Sequence, residues 1–337
     1  MLGQINDAFA ALGGYAVPVG WLALGLFTIA VVLEVIDREY ARSVYVGAWL
    51  VFSVFALMLV QPFFVVDQSV IRGVGAILAV PLSLMAAKVF YEGRDSLFTL
   101  SRAIAIMGFI YVPFLMIDAI REPLILLVTN HTRGIIELLG YNPPVVTELS
   151  DLTAQQIPAG SNPDTTREIT AKTQMYENTF VFFNGDGTIT YTILLDCTGI
   201  GSMAVVLGLV NSVSADWRRK LKASALAIGI IYVANLVRNV FIALSYGNQY
   251  AHFFPDLTMT VWGLENSLRV SYIWADRIMA QSASVVAMLL IIWLMIRIVP
   301  EVMEPIEDLL YLLTGEEHDL AGALNVDTEK TQSDPAD

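Results

Sequence analysis

The sequence predicts a mainly α integral membrane protein: about seven transmembrane helices, amino terminus outside and carboxyl terminus inside, with a small extracytoplasmic insertion that contains a β-hairpin. Three observations lead there. Of the 337 residues, 56% are hydrophobic and only 15% charged, where a soluble domain carries roughly 25% charged residues. Apolar runs of about 20 residues, the length that crosses some 30 Å of hydrocarbon, recur along the chain. Lysine and arginine fall in every second short connection between those runs, which orients the bundle.

In order, the runs are Pro18–Ile36, Tyr45–Val65, Gly73–Phe90, Ala103–Ile120, Gly199–Ser214, Ser224–Tyr246 and Ile278–Val299. The fifth is short, and the fourth has an apolar continuation at Leu124–Val128. Residues Met1–Gly14 lack a basic region and a small-residue cleavage site, so the first run is expected to remain as an anchor. The basic connections carry Arg38 and Arg42, then Lys88, Arg94 and Arg102, then the Arg218–Lys222 cluster of SADWRRKLK. Alternation places the long Arg121–Leu195 segment and the Asn248–Asp276 loop outside.

Residues 1–130 therefore form helices one to four, 131–196 an outer insertion, 197–300 helices five to seven, and 301–337 an acidic inner tail with a disordered distal part. Within the insertion, Tyr141–Thr173 reads as an outer loop. TFVFFNGDGTITYTILL (Thr179–Leu195) reads as a hairpin, because β-branched and aromatic residues flank the turn signal NGDG. The net charge of −13 sits in Glu148–Asp164 and Glu301–Asp337. Such an acidic, lysine-poor solvent face suits concentrated salt, which screens its self-repulsion. No internal repeat, metal-ligand spacing, phosphate loop or nucleic-acid signature is present, and no cofactor is expected.

Cys197, the single cysteine, lies where the hairpin's second strand meets the fifth run. By itself it is an ordinary small filler. Two arginines change its weight. Arg238 lies inside the sixth run, where a charge costs about 2.5–3.5 kcal/mol and must face a polar interior. Arg277 opens the seventh. All three fall near the outer ends of consecutive spans. A thiol beside arginine and a helix N-terminus is expected to be acidified, which describes a nucleophile. Asn235 shares the Arg238 face and Asn239 broadens the polar strip. Asp276 and Arg277, as sequence neighbours, are not expected to share a helix face. A structural reading pairs Arg238 with Asp118 or Glu122 instead, and Arg277 alone serves equally as an interfacial anchor. Ser271 is placed to orient the guanidinium or to cap the helix, and His252 to donate a proton or to sit as a loop histidine. Asn130-His131-Thr132 is a glycosylation sequon.

LLDCTGIGSM, followed by NLVRNVF and ADRIMAQS, resembles the exosortase/archaeosortase family, nearest its haloarchaeal archaeosortases, over essentially the whole chain. The resemblance implies a membrane-embedded cysteine peptidase and transpeptidase. Its substrates would be exported proteins, the surface-layer glycoprotein foremost. They end in a Pro-Gly-Phe-type motif, a transmembrane helix and a basic cluster, and processing is coupled to lipid attachment. It maps the nucleophile onto Cys197 and the central arginine onto Arg238. It puts Arg277 where exosortases commonly carry histidine, a departure that leaves the proton donor for the leaving amine open. The partners so implied are carboxyl-terminal signal helices and a membrane lipid as acyl acceptor. Alternative readings are a transporter for an anionic substrate, a seven-span receptor or pump, and an intramembrane serine protease using Ser202. The seventh run has no lysine for a retinal Schiff base. The three histidines, His131, His252 and His318, fall in loops, which leaves Ser202 without a base in the membrane.

Overall fold

The computed structural model describes residues 15–93, 97–148, 151, 176–184, 187–318 and 320–323. Most of the outer loop Tyr141–Thr173, the Gly185–Asp186 tip of the hairpin and the distal tail lie outside the described residues. Among the described residues, six helical stretches are long and apolar enough to cross a membrane. The described residues are mainly α-helical and include a three-stranded antiparallel sheet.

The first spans are α1 (Ala16–Ile36), α2 (Arg38–Gln61, continued by a π turn at Pro62–Val66), α3 (Val70–Tyr91) and α4 (Phe98–Met116). Asp37 alone separates α1 from α2. Its backbone N–H reaches back to the Leu33 carbonyl, and its carboxylate accepts the Glu39 and Tyr40 N–H groups at 2.8 and 3.3 Å. It thus closes one helix and caps the next. Ser69 caps α3 in the same way through the Arg72 N–H. Large apolar side chains such as Val35, Ile36 and Leu22 stay exposed, as lipid-facing surface requires.

By proximity the chain divides into two compact units, residues 1–109 with 204–227 and 289–337, and residues 110–203 with 228–288. An aromatic cluster fills the first: Tyr45 stacks on Phe90 at 5.0 Å, and Phe27 meets Trp49 edge-on at 5.3 Å. Some of its polar groups are answered in place. Trp49 donates to Ser101 at 3.0 Å, and Glu34 takes the Tyr45 hydroxyl while lying 3.7 Å from Arg102.

The second unit departs from the expected spans in one respect. The fourth run does not continue through Leu124–Val128. Ile117 adopts an extended backbone (φ −111, ψ 105), and a separate helix, α5 (Asp118–Leu138), begins there. Asp118, Arg121 and Glu122 crowd its first turns, so continuation would have drawn charges into hydrocarbon. The hairpin forms as expected, β2 (Thr179–Asn184) against β3 (Gly187–Thr192), with Thr179 opposite Thr192 and Asn184 opposite Gly187. A short strand β1 (Val145–Val146), inside the stretch read as loop, adds to β2. Reciprocal bonds between Asn178 and Ile193 close the hairpin's open end.

A 3₁₀ turn, Leu195–Cys197, then leads to α6 (Ile200–Ser212). At 1.5 Å per residue this helix is about 20 Å long, short of a full crossing. The long helix α7 (Trp217–Gly247), the short α8 (Pro255–Trp262), and a final span of α9 (Arg269–Tyr272), a π-helical stretch Ile273–Ala280 and α10 (Gln281–Ile298) follow. The amphipathic helix α11 (Met303–Thr314) comes after that span.

Candidate active site

Cys197 sits in a locally determined 3₁₀ turn. The Cys197 N–H donates to the Leu194 carbonyl at 2.8 Å, and the Thr198 hydroxyl to that of Leu195 at 2.7 Å. Gly199 follows with φ +80, and a Cβ there would lie 3.2 Å from Asn235 Cγ. Only glycine meets both conditions without strain.

The asparagines of α7 explain that close approach. Asn235 and Asn239, one turn apart, each donate their side-chain N–H to the Cys197 carbonyl oxygen, at 2.6 and 2.7 Å. The Tyr191 hydroxyl, from β3, donates to Asn239 Oδ1 at 3.1 Å and fixes the amide's orientation. Burial pushes the Tyr191 phenol well up, so it stays protonated and remains a donor. The two asparagines thus hold the cysteine's backbone, a role beyond the polar strip expected around Arg238.

Arg238 pairs with neither Asp118 nor Glu122. Its Nη2 donates to Asp276 Oδ1 at 2.6 Å, while Asp118 pairs with Arg121. The second oxygen of Asp276 lies 3.2 Å from Arg277 Nη1. The expectation that Asp276 and Arg277 stay apart therefore fails. They sit in a π-helical stretch, whose wider turn relaxes the α-helical angle between neighbours and frees both carboxylate oxygens for different cations. The Asp276 side chain is 8% exposed, and those of Arg238 and Arg277 are 19% and 15%. The Arg277 guanidinium also lies over the Tyr272 ring at 5.2 Å. Its Nε is buried and makes no hydrogen bond among the described residues.

Arg238 and Asp276 act on Cys197, though the net effect is not in the expected direction. Although the residue keeps some accessible surface, burial is the largest influence on its thiol and pushes it up. The Arg238 guanidinium pulls it down, and Asp276 opposes that pull. The balance lies above the ordinary thiol value, so the resting sulfur is protonated. Acidification by arginine is present but outweighed.

Ser271 and His252 belong to a neighbouring network centred on Gln249. That residue is held at φ +58 by donating to the Tyr246 and Leu268 carbonyls. Its Oε1 accepts the Ser271 hydroxyl at 3.1 Å and lies 3.2 Å from His252 Nδ1. Ser271 thus neither caps its helix nor bonds to a guanidinium among the described residues. The histidines are engaged away from Ser202: His131 with Tyr232, His318 with Thr314, and His252 with Gln249. A cavity of about 680 Å³ opens beside β1 and β2, lined by Arg133, Tyr141, Pro144, Glu177 and Phe183 among others. Neither Cys197 nor the two arginines line it.

Asp276, Tyr191 and Tyr272 are the members that sequence reasoning passes over. The sequence does carry a signal for Asp276. Two arginines in or at the edge of apolar runs need an anion, and Asp276 is the acidic residue just ahead of the last of those runs.

A multispan membrane protein whose single thiol feels the charge of an ion-paired arginine is thus the class that fold and site define. The chain belongs to the transmembrane exosortase family, whose profile matches residues 16–266. It is 38% identical over 317 residues to Archaeosortase A of Haloferax volcanii, covering 91% of this chain and 97% of that protein. It is 35% identical over 326 residues to Archaeosortase A of Natronomonas pharaonis, covering 96% of each. No solved structure matches the chain.

Proposed function

We propose that this protein is a cysteine peptidase and transpeptidase embedded in the membrane. It would process carboxyl-terminal sorting signals of the Pro-Gly-Phe type on exported proteins such as a surface-layer glycoprotein, and transfer the new carboxyl terminus to a lipid. The observation that carries the reading is the Arg238–Asp276–Arg277 ion-pair triad, of which Arg238 and Asp276 bear on the Cys197 thiol, with the buried Arg277 Nε–H left to meet a further acceptor. The family membership and the relatives named Archaeosortase A support a sorting role.

In this mechanism the Cys197 sulfur attacks the scissile carbonyl, and the thiol proton ends on the departing amine. Because burial keeps the resting thiol neutral, deprotonation coincides with attack, when Arg238 stabilises the developing thiolate. Arg277 donates to the tetrahedral oxyanion or positions the substrate. Collapse leaves a thioester on Cys197. A lipid head-group amine, kept near by the bilayer, or water then attacks that carbonyl and restores the thiol. The pattern of basic connections supports an outer-side location for this chemistry at the cell membrane.

Replacing Cys197 with Ser or Ala should leave full-length client protein, while thermal unfolding shows that the variant is folded. Normal processing by a folded Cys197→Ala chain would end the thiol mechanism. An anion transporter, by contrast, would tolerate alkylation of Cys197.

A further inference from the structure

The connection between α7 and the last span contains a helix with three distinct faces. At about 100° per residue, α8 turns Thr258, Trp262 and Met259 to one side, Leu257 and Val261 to a second, and Asp256 and Thr260 to a third. Burial follows these sides. Thr258 is buried and accepts the Trp274 N–H at 3.0 Å, while Met259 and Trp262 pack against Leu264, Val270 and Ile273. Leu257 and Val261 are 64% and 62% exposed, as is Phe254 at 67%, just before the first turn. Asp256 and Thr260 are exposed polar residues.

The chain leaves little freedom in where this helix lies. It hangs between Gly247, the end of one span, and Arg269, the start of the next. The leading connection is drawn in by turns at Asn248, Gln249 and Tyr250. Both span ends belong to the same side of the bilayer, so α8 lies at that surface. The flanking spans already present exposed apolar side chains for lipid at Val233, Val237 and Met279. A helix with one side on protein, one apolar and one polar matches the boundary between acyl chains and water.

We propose that α8 is an interfacial helix whose Leu257–Val261 stripe, with Phe254, is seated in the lipid head-group boundary of the leaflet facing the candidate site. The seat is coupled to the charged centre. Phe253 and Phe254 contact Trp274 at 5.6 and 6.0 Å between ring centroids, and Trp274 belongs to the π-helical stretch that carries Asp276 and Arg277. The depth of α8 in lipid thereby sets the depth of the ion-pair triad. The inference does not depend on the chemistry proposed for Cys197.

The test uses the full chain. Cys197→Ser removes the single thiol, and Leu257→Cys, Val261→Cys or Thr260→Cys then adds one label site on an exposed surface where packing is undisturbed. Each variant is labelled with a polarity-sensitive fluorophore and reconstituted in vesicles of dioleoyl phosphatidylcholine and dioleoyl phosphatidylglycerol. The proposal expects labels at 257 and 261 to be blue-shifted and quenched by acyl-brominated phospholipid, with the label at 260 quenched by aqueous iodide. Iodide access at 257 and 261 would overturn it. So would shielding of those two positions only after a client signal peptide is added, which would identify a protein partner. Shielding at 260 equal to that at 257 would overturn it as well, by placing the whole helix inside the bilayer.

Discussion

Replacing Asp276 with Asn tests the arrangement at its centre. The wild-type carboxylate divides its two oxygens between Arg238 at 2.6 Å and Arg277 at 3.2 Å, with only 8% of its side chain exposed. Asn keeps one carbonyl oxygen of the same shape but removes the charge that balances two guanidinium groups. Removing one partner of a buried ion pair costs about 3–5 kcal/mol. The retained acceptor should hold the loss to the lower part of that range, a drop in melting temperature with the fold intact. Both arginines lose a fixed donor geometry, so client processing should fall by about 10²–10³-fold, as when one oriented donor is removed. The thiol should move the other way. Asp276 is among the charges that push Cys197 up while Arg238 pulls it down, so Asp276→Asn should let iodoacetamide react at lower pH. Slower processing beside an easier-to-ionise thiol is a split that mere unfolding does not produce. Wild-type processing, or lost processing with an unchanged alkylation profile in a folded variant, would refute the positioning role.

Asp308 on α11 should make stability pH-dependent. Burial first, then Glu304, pushes its carboxyl up to about 8, against the pull of the Leu100 N–H. The folded chain therefore binds a proton that the unfolded chain releases between the ordinary carboxylate value and about 8. Stability should fall as pH rises through that window. Asp308→Asn should flatten this part of the profile, read as melting temperature from pH 5 to 9, and an unchanged slope would contradict it. Gly199→Ala must place a side chain at φ +80 and 3.2 Å from Asn235. A loss of about 1–2 kcal/mol is expected from the backbone alone, with reduced processing because the Cys197 carbonyl shifts from its two asparagines. Gly247→Ala drives a Cβ into the Phe182 ring. It should cost about 1–3 kcal/mol of overpacking in thermal unfolding and leave the alkylation profile of Cys197 in place.

What the sequence makes legible here follows from which energies are local. The cost of charge in hydrocarbon singles out Arg238 and Arg277, since each residue betrays itself against its own neighbours. Hydropathy finds the spans, and NGDG finds the hairpin. The pairing of Asp276 with its own neighbour Arg277 is illegible because the neighbour rule assumes α-helical rotation, and nothing in IWADRIMA announces a π-helical stretch. Asn235 and Asn239 looked like company for Arg238, because their true acceptor, a backbone carbonyl, has no letter in the sequence. The direction of the Cys197 thiol was misjudged for a related reason. The pull of a nearby arginine is visible in the motif, whereas desolvation depends on everything packed around the sulfur. The start of α5 at Asp118 was obscured by apolar residues that continue past it.

The joint at Asp37 bears on how the first two helices are held together. With its carboxylate capping α2 and its N–H closing α1, no slack exists between them. The one-residue joint ties the two helices into a tight helical hairpin in the folded protein. Lengthening this joint with a flexible glycine-serine segment would loosen that hairpin.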